Sequence, residues 1–316
     1  MVKEIFSKII EAIDDKILDK EIGLDKNGFI EIKKRQGDKK IAFVDGGNAE
    51  LLKAVNFSLQ LVRTAALIFQ NNKKVESIVN EFFVLAYADG DEYKTELFPL
   101  KGETIAGIVI NSFDATIREG NERASVSKVG GIIRRFAELK LAEKAAGKAD
   151  VVVLDGSLKC MVKGEEEYMQ GLLNKATTSG IIVASLAKTS KILSKDGGCI
   201  ASQLDKLAGT RERWYYELEQ GVGIAKFNKS SNHVFEFNIK QNEKATEVLS
   251  LLAVNSNDAV FPGYPYGLLQ VDKAARVTND ERDYWLTMFK ANAGKRWHEL
   301  KANVNVFNAH EILDNI

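Results

Sequence analysis

Two aspartates in this 316-residue chain stand where a short apolar run gives way to glycine. The run from Ala149 to Leu158 carries Val151, Val152, Val153 and Leu154 into Asp155 and Gly156, and the run from Ile41 to Gly47 carries four apolar residues into Asp45, Gly46 and Gly47. Carboxylates are hard oxygen ligands, so three or four of them converging at a sheet edge hold Mg²⁺ or Mn²⁺ and leave water positions open. Two such ions, about 3.5–4 Å apart, activate water and stabilise the leaving oxygen in phosphodiester hydrolysis. Asp45, Glu138 and Asp155 are the candidate ligands. A single Asp-Gly is an ordinary turn, whereas two at the ends of apolar strands place two carboxylates side by side. By periodicity alone Glu138 is a solvated position on an amphipathic helix.

Other side chains suit a polyanionic substrate. Lys188, Thr189, Ser190 and Lys191 combine hydroxyls with ammonium groups that contact phosphates, or form an exposed solvated loop. Arg134 and Arg135 admit the same two readings. Tyr264 and Tyr266, beside Pro262 and Pro265, can stack on the bases of a single strand, or pack at a core or rim. His310 is a ligand, a general acid or a surface residue, and His233 and His298 have no supporting pattern. No Gly-x-x-x-x-Gly-Lys loop occurs, and the glycines after Asp45 do not match a dinucleotide fingerprint.

The elements that must position these groups alternate between helix and strand. Residues 2 to 19 place Ile5, Phe6, Ile9, Ile10, Ile13, Ile17 and Leu18 on one side of a helix, a brace or a partner surface. The Asp45 strand is expected to end at Asp45. Leu59 to Phe69 is a second buried strand, or a helix at that length, and Val75–Ala88 and Glu92–Leu100 form a hairpin at Asp89-Gly90-Asp91. Ala124 to Ala146 is helical, then comes the Asp155 strand, a helix over Glu165–Lys175 and a strand over Gly180–Leu186. Gly223–Lys229 and His233–Ile239 pair as a hairpin, and the turn Pro262–Gly267 leads into a helix over Leu268–Arg276 that carries Asp272.

Composition narrows the class. The 44 basic and 44 acidic side chains cancel, so phosphate binding must come from a local patch. Two cysteines, Cys160 and Cys199, are too few for a disulfide scaffold or a cysteine zinc site and point to a reducing, cytoplasmic setting. The first 20 residues lack the apolar core of a signal peptide, and no run approaches the roughly 20 apolar residues of a membrane span. With three prolines, no repeat and no low-complexity tract, residues 1–316 are expected to form one domain.

Taken together, Phe43 to Gly47, the helix segment Arg134 to Glu138, Val153 to Leu158, Ala187 to Ser190, and Gly263 to Tyr266 leading to Asp272 resemble the NurA nucleases. That resemblance implies an α/β fold of RNase H-like type, a mixed sheet flanked by helices. It implies a manganese-dependent nuclease, with Mg²⁺ as the alternative metal and two ions, that acts as a 5′ to 3′ exonuclease and single-strand endonuclease on DNA ends. It further implies a homodimer that works with a hexameric HerA-type ATPase in end resection and repair. Carried over residue by residue, Asp45, Glu138 and Asp155 would be metal ligands, and Asp272 would stand in the catalytic set where the family often has a histidine. His310 would take that place only if the tail folds back. Lys188, Ser190, Arg134 and Tyr264 would contact DNA, and Lys188 or an arginine would neutralise transition-state charge. Two competing readings are an actin-like ATPase or sugar-kinase relative, which needs nucleotide loops and a duplicated half, and a non-catalytic assembly module docking through its N-terminal helix and aromatic C-terminal region.

Overall fold

The computed structural model describes residues 2–13, 23–35, 37–259, 261–302 and 304. In chain order the elements are α1 (Val2–Ile13), β1 (Phe29–Glu31), β2 (Ile41–Lys53), β3 (Phe57–Gln70), β4 (Lys73–Asp89), β5 (Glu92–Lys101) and β6 (Val109–Asn111). They continue with α2 (Lys128–Ala145), β7 (Val151–Asp155), α3 (Glu165–Ser179), β8 (Ile182–Ala187), α4 (Ile200–Ala208), β9 (Trp214–Glu219), β10 (Val222–Lys226) and β11 (Phe235–Ile239). The last three are α5 (Ala245–Asn255), α6 (Tyr266–Ala275) and α7 (Asn279–Ala293). The architecture is α/β, a mixed sheet flanked by helices. Among the described residues no helix is long and apolar enough to cross a membrane.

The described residues pack as two compact units. The larger takes in Lys39–Leu154, Lys159–Ile181 and Gly267–Ile316. Its strand order is β7-β2-β3-β4-β5-β6, with β7 parallel to β2 and the rest antiparallel. The segment over 59–69 is strand rather than helix because both its edges are taken, by β2 and by β4. The β3–β4 turn holds Asn71 and Asn72 at φ 50° and 60°, and Gly90 turns β4 into β5 at φ 60°, the left-handed geometry that tight hairpins need. Along β4 the period of two sends Phe82, Val84 and Ala86 into a core shared with Ile133 and Phe136 of α2, and Phe83 and Leu85 towards Trp285 and Phe289 of α7.

The smaller unit takes in Met1–Asp38, Asp155–Leu158 and Ile182–Tyr266. Its strands follow the order β1-β9-β10-β11-β8, all antiparallel. The expected hairpin over 223–239 is the β10–β11 pair. Leu204 and Ala208 of α4 pack on Trp214, Tyr216 and Ile224. The apolar side of α1 is exposed at Val2, Ile5, Phe6, Ile9, Ile10 and Ile13.

One expectation about strand ends is corrected. β2 does not stop at Asp45 but continues through Gly46 and Gly47 to Lys53, still paired with β3. Neither glycine has a left-handed φ. Their role is close approach: a Cβ on Gly46 would lie 2.6 Å from Glu138 Oε1, and one on Gly47 would lie 2.4 Å from the Ala275 carbonyl oxygen. The turn expected after Asp155 is real, with Gly156 at φ 105°.

Candidate active site

Asp45 is fifth in β2, after four residues that are fully or almost fully buried. In the parallel register Val44 stands opposite Leu154, so the next residue on each strand, Asp45 and Asp155, emerges at the same level. Such a level at the carboxyl end of parallel strands is where α/β sheets gather ligands. The third carboxylate comes from α6. Gly267, in its first turn, lies so near Phe43 that a Cβ would be 2.1 Å from the ring, and this contact seats the helix that carries Asp272. One carboxylate oxygen from each of Asp45, Asp155 and Asp272 lies within 4.8 Å of the others, and all three residues are half-buried.

Three hard oxygen donors at that separation suit one divalent ion, since ligands at about 2.0–2.1 Å from Mg²⁺ in octahedral array stand roughly 3–4 Å apart. Two of the carboxylates also meet cations from the chain. Lys188 Nζ is 2.7 Å from Asp155 Oδ2, and Arg276 Nη2, just past the end of α6, is 2.5 Å from Asp272 Oδ2. The Tyr264 hydroxyl donates to Asp155 Oδ1 at 3.3 Å, and Asp45 Oδ1 accepts the Gly46 N–H at 2.7 Å. The donor set therefore has the chemistry of a Mg²⁺ or Mn²⁺ site.

Beside Gly46 lies a second charged group. Glu138 is 3% exposed and pairs with Arg134 Nη1 at 2.5 Å and with Arg135 Nη1 at 3.4 Å, while Arg134 Nη1 also donates to the Gly46 carbonyl. Arg135 reaches on to Glu165 at 2.7 Å. Burial works against the Arg135 charge, but Glu138 and Glu165 outweigh it and hold its pKa above the ordinary arginine value.

Compared with solved structures, the chain is similar to the NurA nuclease from Sulfolobus solfataricus at 14% identity, over 93% of this chain and 95% of that one, with a TM-score of 0.53. The chain has a NurA-like fold. The expected fold class therefore stands. Endonuclease V from Ciona intestinalis, crystallised with a 24mer DNA containing inosine, superposes at a TM-score of 0.41 and 12% identity, over 77% of this chain and 90% of that one. The sequence matches no protein-family model and no curated protein.

Within the NurA-like fold the expected residues separate. Asp45, Asp155 and Asp272 come together. Glu138, expected as a ligand, is not among the three; a buried carboxylate needs compensating charge, and Arg134 and Arg135 supply it. Tyr264, expected to offer a face to DNA bases, is 1% exposed, with its ring against Phe235 and Phe261, so it reaches the cluster through its hydroxyl alone. Ser190, expected to contact DNA, donates its hydroxyl to Glu236 Oε2 at 3.1 Å. Lys188 and Arg134 both stand beside carboxylates, with 45% and 31% of their side chains exposed. His310 lies outside the described residues. Sequence reasoning missed Arg276, although its spacing of four from Asp272 on a helix is the signal that pairs them.

Proposed function

We propose that this chain is a metal-dependent DNA nuclease, one NurA-type domain over residues 1–316. The observation that carries the reading is the convergence of Asp45, Asp155 and Asp272 in a fold similar to that of a nuclease. These three residues would hold the divalent metal, Mn²⁺ with Mg²⁺ as the alternative, as two ions. When bound, such ions lower the pKa of a water and stabilise the leaving 3′ oxygen. The side chains of this chain do the rest. Tyr264 holds Asp155 in one orientation, and Lys188 and Arg134 bring positive charge to a scissile phosphate. Ser190 contributes a further contact to the strand, and Glu138 keeps Arg134 beside Gly46.

The finer reading is a 5′ to 3′ exonuclease and single-strand endonuclease that trims DNA ends for repair. It acts in the cytoplasm as a homodimer with a hexameric HerA-type ATPase, and the exposed apolar side of α1 is a surface for such a partner. The test is cleavage of end-labelled single-stranded and duplex DNA with Mn²⁺, Mg²⁺ or chelator, comparing the chain with Asp155→Asn. Metal-dependent cleavage that disappears in the folded variant supports the reading. Absence of cleavage with either metal, even with the ATPase added, would sink it.

A further inference from the structure

A cleft of about 400 Å³ in the larger unit runs over the N-terminal half of α2 and the 116–118 loop. Arg118, Lys128, Arg134 and Arg135 line it together with Thr116, and no acidic residue does. Gly131 leaves part of its wall open, since a Cβ there would meet nothing within 4 Å. The cations are not equally committed. Every hydrogen bond that Arg134 makes among the described residues leaves from Nη1, to the Gly46 carbonyl and to Glu138, so Nε and Nη2 remain for a ligand. The Arg118 side chain is exposed, and its charge acts on nearby Asp114 without a side-chain hydrogen bond or salt bridge among those of the described residues. Lys128 Nζ is fixed by the Ile117 carbonyl at 2.9 Å and Glu119 at 2.8 Å.

Arg134 ties this cleft to the carboxylate cluster, because the carbonyl it grips belongs to the residue after Asp45. A polyanion brought to three carboxylates meets repulsion there and must recover attraction beside them. With 44 positive and 44 negative side chains in the chain, only a local patch supplies it. Guanidinium forks match phosphate oxygens in pairs, and one arginine anchored through a single nitrogen presents such a fork.

We infer that the Arg118–Lys128–Arg134 cleft holds the backbone phosphates of the DNA strand flanking the one at the carboxylate cluster. This deepens the nuclease reading and rests on it. Contacts of this kind position a strand and carry no sequence preference.

The experiment measures binding of the full chain to a fluorescein-labelled 20-nucleotide single strand in chelator, between 50 and 300 mM salt on the order of the range where counterion release is resolved. Arg118→Ala, Arg118→Glu and the double variant Arg118→Ala/Lys128→Ala are compared with the unmodified chain, each checked by its thermal melt. Arg118 is exposed, so its replacement leaves packing intact even if Lys128 contributes to stability. The expected result is a loss of about threefold to tenfold in affinity for each cation removed, a larger loss on charge reversal, and a salt slope shallower by about 0.7 per lost contact. The loss is equal for oligo-dT and mixed sequence. Unchanged affinity and slope in Arg118→Glu, or no binding by the unmodified chain, would overturn the cleft. Cleavage is scored separately with metal restored. An intact chain that cleaves while its variants bind normally refutes the cleft alone, whereas variant-sensitive binding without any cleavage supports the cleft and refutes the nuclease.

Discussion

Replacing Gly47 with alanine tests how β2 and α6 assemble the cluster. The backbone φ at Gly47 is not left-handed, so alanine costs nothing in conformation. It costs in space. The new Cβ would stand 2.4 Å from the Ala275 carbonyl oxygen, 3.1 Å from its carbon and 3.3 Å from Arg276 Cα, all backbone atoms that cannot rotate away. A comfortable carbon-to-oxygen contact is about 3.3 Å, so the end of α6 must retreat by roughly 0.9 Å. Overpacking of that size costs about 1–3 kcal/mol, a fall in Tm of roughly 2–5 °C for a chain of this length. Asp272 sits three residues before Ala275 on the same helix and moves with it. Metal ligands tolerate about 0.2 Å, so Mn²⁺ affinity should fall about tenfold or more. Calorimetric titration with Mn²⁺ and a thermal melt measure both quantities. In Gly46→Ala the methyl meets the side chains of Glu138 and Arg134 instead, which can yield in part, so its loss of metal affinity should be smaller. A Gly47→Ala chain with unchanged melting and unchanged Mn²⁺ binding would refute the argument.

Three further outcomes follow from the same contacts. Glu138→Ala strands Arg134 and Arg135 beside β2 and should cost about 3 kcal/mol, seen in a urea melt, while Glu138→Gln should cost less. Tyr264→Phe removes one hydrogen bond to Asp155 without emptying the aromatic cluster, so Mn²⁺ binding should weaken about fivefold, or about 1 kcal/mol, with the melt nearly unchanged. Glu281 is held down to about 2, first by the Arg63 side chain and then by the Thr278 N–H. Its folded pKa lies below its unfolded one, so its contribution is complete above about pH 4.5 and disappears as pH falls towards 2. The side chain is 40% exposed, which reduces that contribution to about 1 kcal/mol. Glu281→Gln should therefore melt about 1–2 °C lower at pH 7, and the gap should close by about pH 2.

Much of the site was legible because local pattern and tertiary role agreed. Four apolar residues ahead of Asp155 marked a strand buried on both faces, and Gly156 marked its end. The helix over Arg134 and Glu138 showed in its periodicity, though it starts at Lys128 rather than Ala124. Where the two disagreed, the sequence misled. Gly46-Gly47 has the composition of a turn, yet the glycines make room for a glutamate and a helix end, a reason visible only in three dimensions. The turn around Tyr264 has the composition of an exposed loop, yet Phe235 and Phe261 enclose the ring. β9 went unread; Trp214, Tyr215 and Tyr216 owe their strand to pairing with β1 and β10 on either side. Likewise the packing of Trp285 and Phe289 on β4 joins residues about 200 positions apart, beyond any local pattern.

The parallel pairing of β2 with β7 also dictates when the cluster can exist. Lys40 and Asp150, hydrogen-bonded at the start of that pair, are 110 residues apart, and Asp272 follows later still. The β2–β5 meander needs only neighbours in sequence and can form while the chain is still being made. Between the synthesis of Asp45 and that of Asp272, on the order of 10–45 s pass at about 5–20 residues per second. During that interval the nascent chain carries its first aspartate on a finished strand and gains Asp155 midway, but lacks the third carboxylate that closes the ring. The fold thus makes the cluster a property of a chain translated past Asp272.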